Sequence, residues 1–401
     1  MRLQFRLFIG LCVLTVAVLL YYTLTQHSKP VISYINDITK RGRPSILQPS
    51  KTTSTHTTTK PPVPMSKITT PITTRTTTLP PRPTNVPIQI CGNMSDFTDV
   101  DSFAPSGRPK VDLFMNILTA NFRVDRRMAI RNTWASTAKN YSIAYRFFTD
   151  SIGVEKGEID KVLQENAVYK DIQMIPTKQG YWMSHRYLHA LFWGYKHYDF
   201  KFYMRVDDDY FVCLNNLYND LQYRMKEKLF YWGFLGCDPK MVAIDEGFII
   251  VSIDLAKEFM KRNNSMCCHP MGGQMIGMWV NRLEYEGYDV TYFADNDRLM
   301  HYRSHLKTVD QNLCKGILGI HETYPEYMHQ FWNVTKDSWF SIKTDGFKKV
   351  ARKEYKDYCS QPKGWDWRVL NAFWKHEPKP CWQPGVHWPE LDQYKSHKGR
   401  E

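Results

Sequence analysis

Three consecutive carboxylates, Asp207-Asp208-Asp209, carry the clearest chemical meaning in this chain. They follow the apolar-rich run 200–206 and precede Tyr210-Phe211-Val212. Adjacent carboxylates repel one another unless a cation or solvent screens them. Asp207 and Asp209 are two apart, so in extended chain they point the same way and can share one hard divalent ion. The competing reading is a solvated acidic turn. Apolar segments on both sides weigh against it.

Such a triplet needs a strand to present it, and the surrounding pattern supplies one. Short apolar runs predict strands over 111–119, 143–148, 168–175, 200–206, 248–251 and 289–293. Helical spacing predicts helices over 125–136, 181–198, 254–262 and 274–286. Strands separated by helices of this length argue for an α/β fold, a mostly parallel sheet with helices on both faces. Ligands bind beyond the carboxyl ends of such strands, which is where the triplet falls.

The N-terminal quarter has a different character. Residues 7–25 are nineteen residues without a charge, about the ~20 that a helix needs to cross a bilayer. Arg2 and Arg6 precede them, which predicts a cytosolic tail over 1–6 and a signal-anchor helix rather than a cleaved signal peptide. Thr and Pro fill 21 of the 34 positions from 51 to 84, so 26–90 reads as an extended stem, glycosylated or bare. The net charge of +13 is concentrated in this part. Residues 91–401 hold 42 Lys and Arg against 39 Asp and Glu, a near balance that removes the charge argument for nucleic acid. Eight cysteines follow the stem without a C-x-x-C pair, which favours disulfides over a metal cluster. Adjacent Cys267 and Cys268 are expected to bond to two different partners. Sequons stand at Asn93, Asn140, Asn263 and Asn333.

Three segments resemble a known family. Arg126-Arg127-Met128-Ala129-Ile130-Arg131-Asn132-Thr133-Trp134 is similar to the R-R-x-A-I-R-x-T-W signature of the β-1,3-galactosyltransferase-like enzymes, glycosyltransferase family 31. Met204 to Val212 resembles that family's K-x-D-D-D-x-F-V block, and Gly319-Ile320-His321 with Pro325-Glu326-Tyr327-Met328 resembles its closing segment. The resemblance covers roughly residues 110 to 335. It implies a GT-A-like nucleotide-sugar-binding fold over 91–340, with 341–401 as an aromatic and basic extension of unassigned role. It further implies a Golgi type II membrane enzyme, lumenal beyond the anchor. Such an enzyme moves a hexose or N-acetylhexosamine from a UDP-sugar to a glycan hydroxyl on a glycoprotein or glycolipid, with inversion and in β-1,3 linkage.

The same resemblance assigns roles. Asp209, Asp207 and His321 would hold Mn²⁺, with Mg²⁺ second. Arg127 and Arg131, four apart on one helix face, would meet the nucleotide diphosphate together with Asp207 and Asp208; the alternative for the two arginines is pairing with acidic neighbours. One departure matters. The family's E-D-V-x-x-G block, source of its general base, corresponds here to Gly272-Gly273-Gln274-Met275-Ile276-Gly277, so both of its carboxylates are gone and Gln274 offers no basic group in their place. Glu246 or Asp245 is then the candidate base. The alternative is a member that has lost activity and binds glycans or stabilises a partner.

Overall fold

The computed structural model describes residues 91–93, 96–180, 182–238, 241–341, 359, 368, 375–381, 388 and 391. The expected signal-anchor over 7–25, the stem over 26–90 and most of the C-terminal extension lie outside them. Among the described residues no helix is long and apolar enough to cross a membrane.

Strand β1 (Lys110–Leu118) is followed by helix α1 (Val124–Asn132) and a 3₁₀ turn over Trp134–Asn140. Strand β2 (Ile143–Ile152), helix α2 (Lys156–Tyr169) and strand β3 (Ile172–Lys178) complete one edge. Helix α3 (Met183–His197) leads to β4 (Asp199–Asp207), the short β5 (Phe211–Val212) and helix α4 (Leu214–Tyr223). Next come β6 (Phe230–Asp238), β7 (Met241–Ser252), helix α5 (Ile253–Lys261), β8 (Cys267–Cys268) and helix α6 (Gly272–Tyr285). The order closes with β9 (Thr291–Ala294), β10 (Leu299–Met300), β11 (Gly319–Ile320), helix α7 (Pro325–Thr335) and β12 (Lys379–Pro380).

Seven strands form one sheet in the order β3-β2-β1-β4-β7-β6-β9. The pairs β1/β2, β1/β4, β2/β3 and β6/β9 are parallel, while β7 runs antiparallel to both β4 and β6. The sheet is therefore mostly parallel, with an antiparallel β6–β7 pair set into it. Successive strand residues point to opposite faces and feed two cores. Phe114, Tyr203, Ile249 and Val251 pack with Leu188, Phe259 and Trp279 from α3, α5 and α6. Their chain neighbours Leu113, Phe202, Met204 and Ile250 pack with Ile130, Leu217 and Phe331 from α1, α4 and α7. Helices thus cover both faces, which leaves the strand ends as the place for chemistry.

Three elements depart from expectation for physical reasons. The run 168–175 is not one strand: α2 extends to Tyr169, Lys170 turns the chain at φ 56°, and β3 starts at Ile172. Val168 is 71% exposed, so its β-branched side chain contributes nothing to the core. Helix α2 itself buries Val162 alone, which leaves little apolar periodicity to read. Strand β6 is interrupted by Gly233 and Gly236 and was equally hard to see.

Four disulfides staple the unit: Cys91–Cys267, Cys213–Cys314, Cys237–Cys359 and Cys268–Cys381. Cys267 and Cys268 do go to different partners. The last two bridges tie residues of the C-terminal extension to β6 and β8, and β12 pairs with β8.

Candidate functional site

Strand β4 ends at Asp207, whose register partner on β1 is Leu118, and the Asp208 N–H donates to the Leu118 carbonyl at 3.1 Å. The chain then turns through Asp208 and Asp209 into β5. That turn sends the three carboxylates to different places. Asp208 is 1% exposed and accepts from Thr119 Oγ1 at 2.7 Å, Arg126 Nη1 at 3.0 Å and Arg123 Nη1 at 3.1 Å. It locks the turn to the start of α1. Asp207 and Asp209 each keep part of the side chain exposed.

A small second sheet brings the third member. Strand β11 pairs antiparallel with β5, Gly319 opposite Val212 and Ile320 opposite Phe211. The Thr323 N–H donates to the Asp209 carbonyl at 2.8 Å. His321 is thereby carried to the triplet from far along the chain, its ring stacked on Tyr210 at 4.9 Å. Its Nδ1 lies 3.0 Å from the His301 carbonyl. A carbonyl only accepts, so Nδ1 carries the proton and Nε2 is left facing Asp209 Oδ1 at 3.5 Å.

Asp207, Asp209 and His321 each offer a ligand atom, all within 4.8 Å of one another. The donor set suits a divalent cation on three grounds. Carboxylate oxygen with imidazole nitrogen is a combination that Mn²⁺ and related ions accept. Asp209 Oδ1 is buried with no hydrogen-bond donor of its own. The electrostatics are those of a crowded anionic site: burial pushes Asp207 up to about 7, opposed by Arg205 and reinforced by Asp209 and Glu246. Burial would lower His321, but Asp209, Asp207 and Asp245 outweigh it and raise the imidazole to about 9. Burial likewise pushes Asp209 up, yet His321 and Arg126 hold it below the usual carboxylate range.

The remaining wall comes from β7. Val206 on β4 pairs with Phe248, so on the antiparallel β7 the preceding residues Asp245, Glu246 and Gly247 lie beside Asp207. Asp245 Oδ1 accepts from the Gly247 N–H at 3.0 Å, and its Oδ2 is 3.8 Å from His301 Nδ1. Arg205 Nη2 donates to Asp207 Oδ1 at 2.8 Å. Its guanidinium is raised by Asp207, Glu246 and Asp245 against the cost of burial. Asp207, Asp209, Asp245, His301 and His321 keep 18 to 29% of their side-chain surface exposed, so the trio is open to solvent on one side.

Arg127 and Arg131 are elsewhere. Arg127, 1% exposed, makes a two-point pair with Glu165 at 2.9 and 2.6 Å and donates to the carbonyls of Ala120 and Asn121. Arg131 makes a two-point pair with Asp171 at 2.9 and 2.7 Å and reaches Glu165 at 2.6 Å. Their forks serve the chain's own carboxylates, so they and Asp208 fasten the site from behind in place of meeting a nucleotide. Arg123, Arg126, Arg205 and His301 are the site neighbours that sequence reasoning missed. The adjacent arginines of the same helix signal were the available clue to Arg126.

Known proteins resemble this region in sequence. The galactosyltransferase family model matches residues 125–242, from α1 through the triplet to the start of β7. A β-1,3-galactosyltransferase 6 from Mus musculus is 27% identical over 145 residues, 34% of this chain and 45% of the relative. A hydroxyproline O-galactosyltransferase from Arabidopsis thaliana, GALT2, is 24% identical over 50% of this chain and 34% of its own length. The chain therefore spans less than half the length of these curated relatives. Among solved structures, a mannosyltransferase from Pyrobaculum calidifontis in complex with GDP-Man and Mn²⁺ covers 48% of this chain and 57% of its own, at TM-score 0.31 and 11% identity. The galactosyltransferase LgtC covers 56% and 95%, at TM-score 0.31 and 10% identity.

Proposed function

From the premise that this chain carries a galactosyltransferase-family domain, we propose that it is a metal-dependent, inverting UDP-sugar hexosyltransferase with a GT-A-like fold. The donor is a UDP-linked hexose or N-acetylhexosamine, the acceptor a glycan hydroxyl on a glycoprotein or glycolipid, and the linkage β-1,3. The observation that carries this reading is the convergence of Asp207, Asp209 and His321 at the carboxyl end of β4.

These three residues would hold Mn²⁺, or Mg²⁺ in its place. Bound there, a divalent cation neutralises the charge that grows on the diphosphate as it leaves. The chain does the rest. Arg123 and Arg126 hold Asp208 and so fix the turn that aims Asp207 and Asp209. The His301 carbonyl holds His321 with Nε2 toward Asp209. A carboxylate beside the trio accepts the acceptor's proton, and β7 offers Asp245 and Glu246 for that task.

The apolar span over 7–25 behind Arg2 and Arg6 supports a Golgi type II placement with the folded part lumenal. Asn140 and Asn333 are exposed, so glycosidase treatment of the protein from secretory membranes should increase its gel mobility. An unchanged mobility would contradict this placement. For the activity, the full-length protein in detergent is offered a panel of UDP-sugars and glycan acceptors with Mn²⁺ or with chelator. Transfer with Mn²⁺ and none with chelator is expected. Equal transfer in both would refute the metal-dependent reading.

A further inference from the structure

We propose that Glu246 is the catalytic base, a carboxylate delivered from β7 to the N-terminus of α6 through the space left by Gly272 and Gly273. This rests on the transferase reading above and sharpens it to one residue. Glu246 Oε2 accepts from the Gly272 N–H and, at 3.2 Å, from the Gly273 N–H. These are first-turn donors of α6 with no partner inside the helix, and a helix N-terminus favours an anion.

The two glycines are a steric requirement of that arrangement. A Cβ at Gly272 would lie 2.5 Å from Glu246 Oε2 and 3.4 Å from Met183 Cβ. One at Gly273 would lie 2.9 Å from the Ile244 carbonyl oxygen and 3.2 Å from the Glu246 nitrogen. A side chain on either glycine would expel the carboxylate or push β7 away. The first turn of α6, which lacks a carboxylate of its own, thus receives one from the facing strand.

A second observation ties this carboxylate to the reacting centre. Arg205 is buried beside the trio, one arm on Asp207, and its Nη1 has no hydrogen-bond partner. Glu246 lies two residues before Phe248 on β7, which pairs with Val206 on β4, so the base side adjoins Asp207 and Arg205. Glu246 stays half-buried, open to an incoming hydroxyl. Burial raises its carboxyl above the usual range, which strengthens it as a base. Asp245 is differently engaged: one oxygen serves Gly247 and the other faces His301, so it is a positioning residue on the metal side.

The step balances. The acceptor oxygen forms a bond to the anomeric carbon, the bond from that carbon to the diphosphate oxygen breaks, and its electron pair leaves on UDP. The hydroxyl proton passes to Glu246 and is later lost to water.

The test uses the full chain, with UDP binding in the presence of Mn²⁺ as the check on folding. Glu246→Gln should lower kcat ~10²–10⁴-fold with UDP affinity unchanged, whereas Asp245→Asn should lower it less than about tenfold. Azide is an anionic nucleophile that carries no proton to remove. With Glu246→Ala it should yield the glycosyl azide at a rate near that of wild type with azide, an outcome that a structural role cannot produce. Gly272→Asp in the Glu246→Ala background puts a carboxyl where Oε2 stood and should restore part of the transfer. Full turnover in Glu246→Gln, or failure of azide to react in a Glu246→Ala protein that still binds UDP, would overturn the assignment. A wild type that binds UDP and transfers nothing from any donor would instead defeat the underlying transferase reading.

Discussion

Two clusters of charge lie on either side of the triplet, and they are built on opposite principles. Behind it, Arg127 and Arg131 meet Glu165 and Asp171 through paired forks, each charge answered by an opposite one. In front, Asp207, Asp209, Asp245 and Glu246 gather round Arg205 and His321, with Asp209 Oδ1 and Arg205 Nη1 lacking partners. A satisfied network is scaffold; one short of partners has room for the cation and substrate proposed above. The triplet straddles the divide, with Asp208 on the scaffold side and its neighbours on the other.

That contrast predicts opposite consequences for adjacent residues. Asp209→Ala should abolish transfer, a loss beyond about 10²-fold, while its thermal stability stays within about 1 kcal/mol of wild type. Asp208→Ala strands two arginines and should cost about 3–5 kcal/mol, seen as a fall in the denaturation midpoint. Equal stability in the two variants would erase the distinction. Glu165→Gln should behave like a milder Asp208 variant, losing about 1–3 kcal/mol with unchanged UDP affinity.

The Glu165 network also carries a pH signature. Burial pushes Glu165 up, but Arg127 and Arg131 outweigh it and hold the carboxyl below its ordinary value. A depressed folded-state value means that its stabilisation is complete above the unfolded carboxylate pKa of about 4.3 and is lost as pH falls through the folded one. The gap in melting temperature between wild type and Glu165→Gln should therefore close in acid. A gap that widened would reverse the sign. The smallest effect is expected at His301→Ala, because the His301 backbone carbonyl, not its side chain, holds His321. Mn²⁺ affinity should change less than about tenfold.

The same contrast explains what the sequence could disclose. The triplet was legible because a hydrophobic run ended in acid, and β1, β2 and β4 were legible as short apolar runs. His321 was reached through resemblance alone, since its approach depends on the β5–β11 pairing. The spacing of Arg127 and Arg131 correctly implied one shared face. It could not say that Glu165 and Asp171, from α2 and the turn before β3, would already occupy it. Helix α2 was itself illegible, with a single buried side chain. Likewise nothing local in Gly272-Gly273 announces that a glutamate from another element fills the space above them.

In the function proposed here, Asp207, Asp209 and His321 form a cation site on which a nucleotide diphosphate docks. Calorimetric titration of UDP into the full-length protein, with Mn²⁺, with chelator and with Asp209→Ala in Mn²⁺, tests it most directly. Binding in the first case and none in the other two is the predicted result. UDP binding of equal strength in all three would contradict the account.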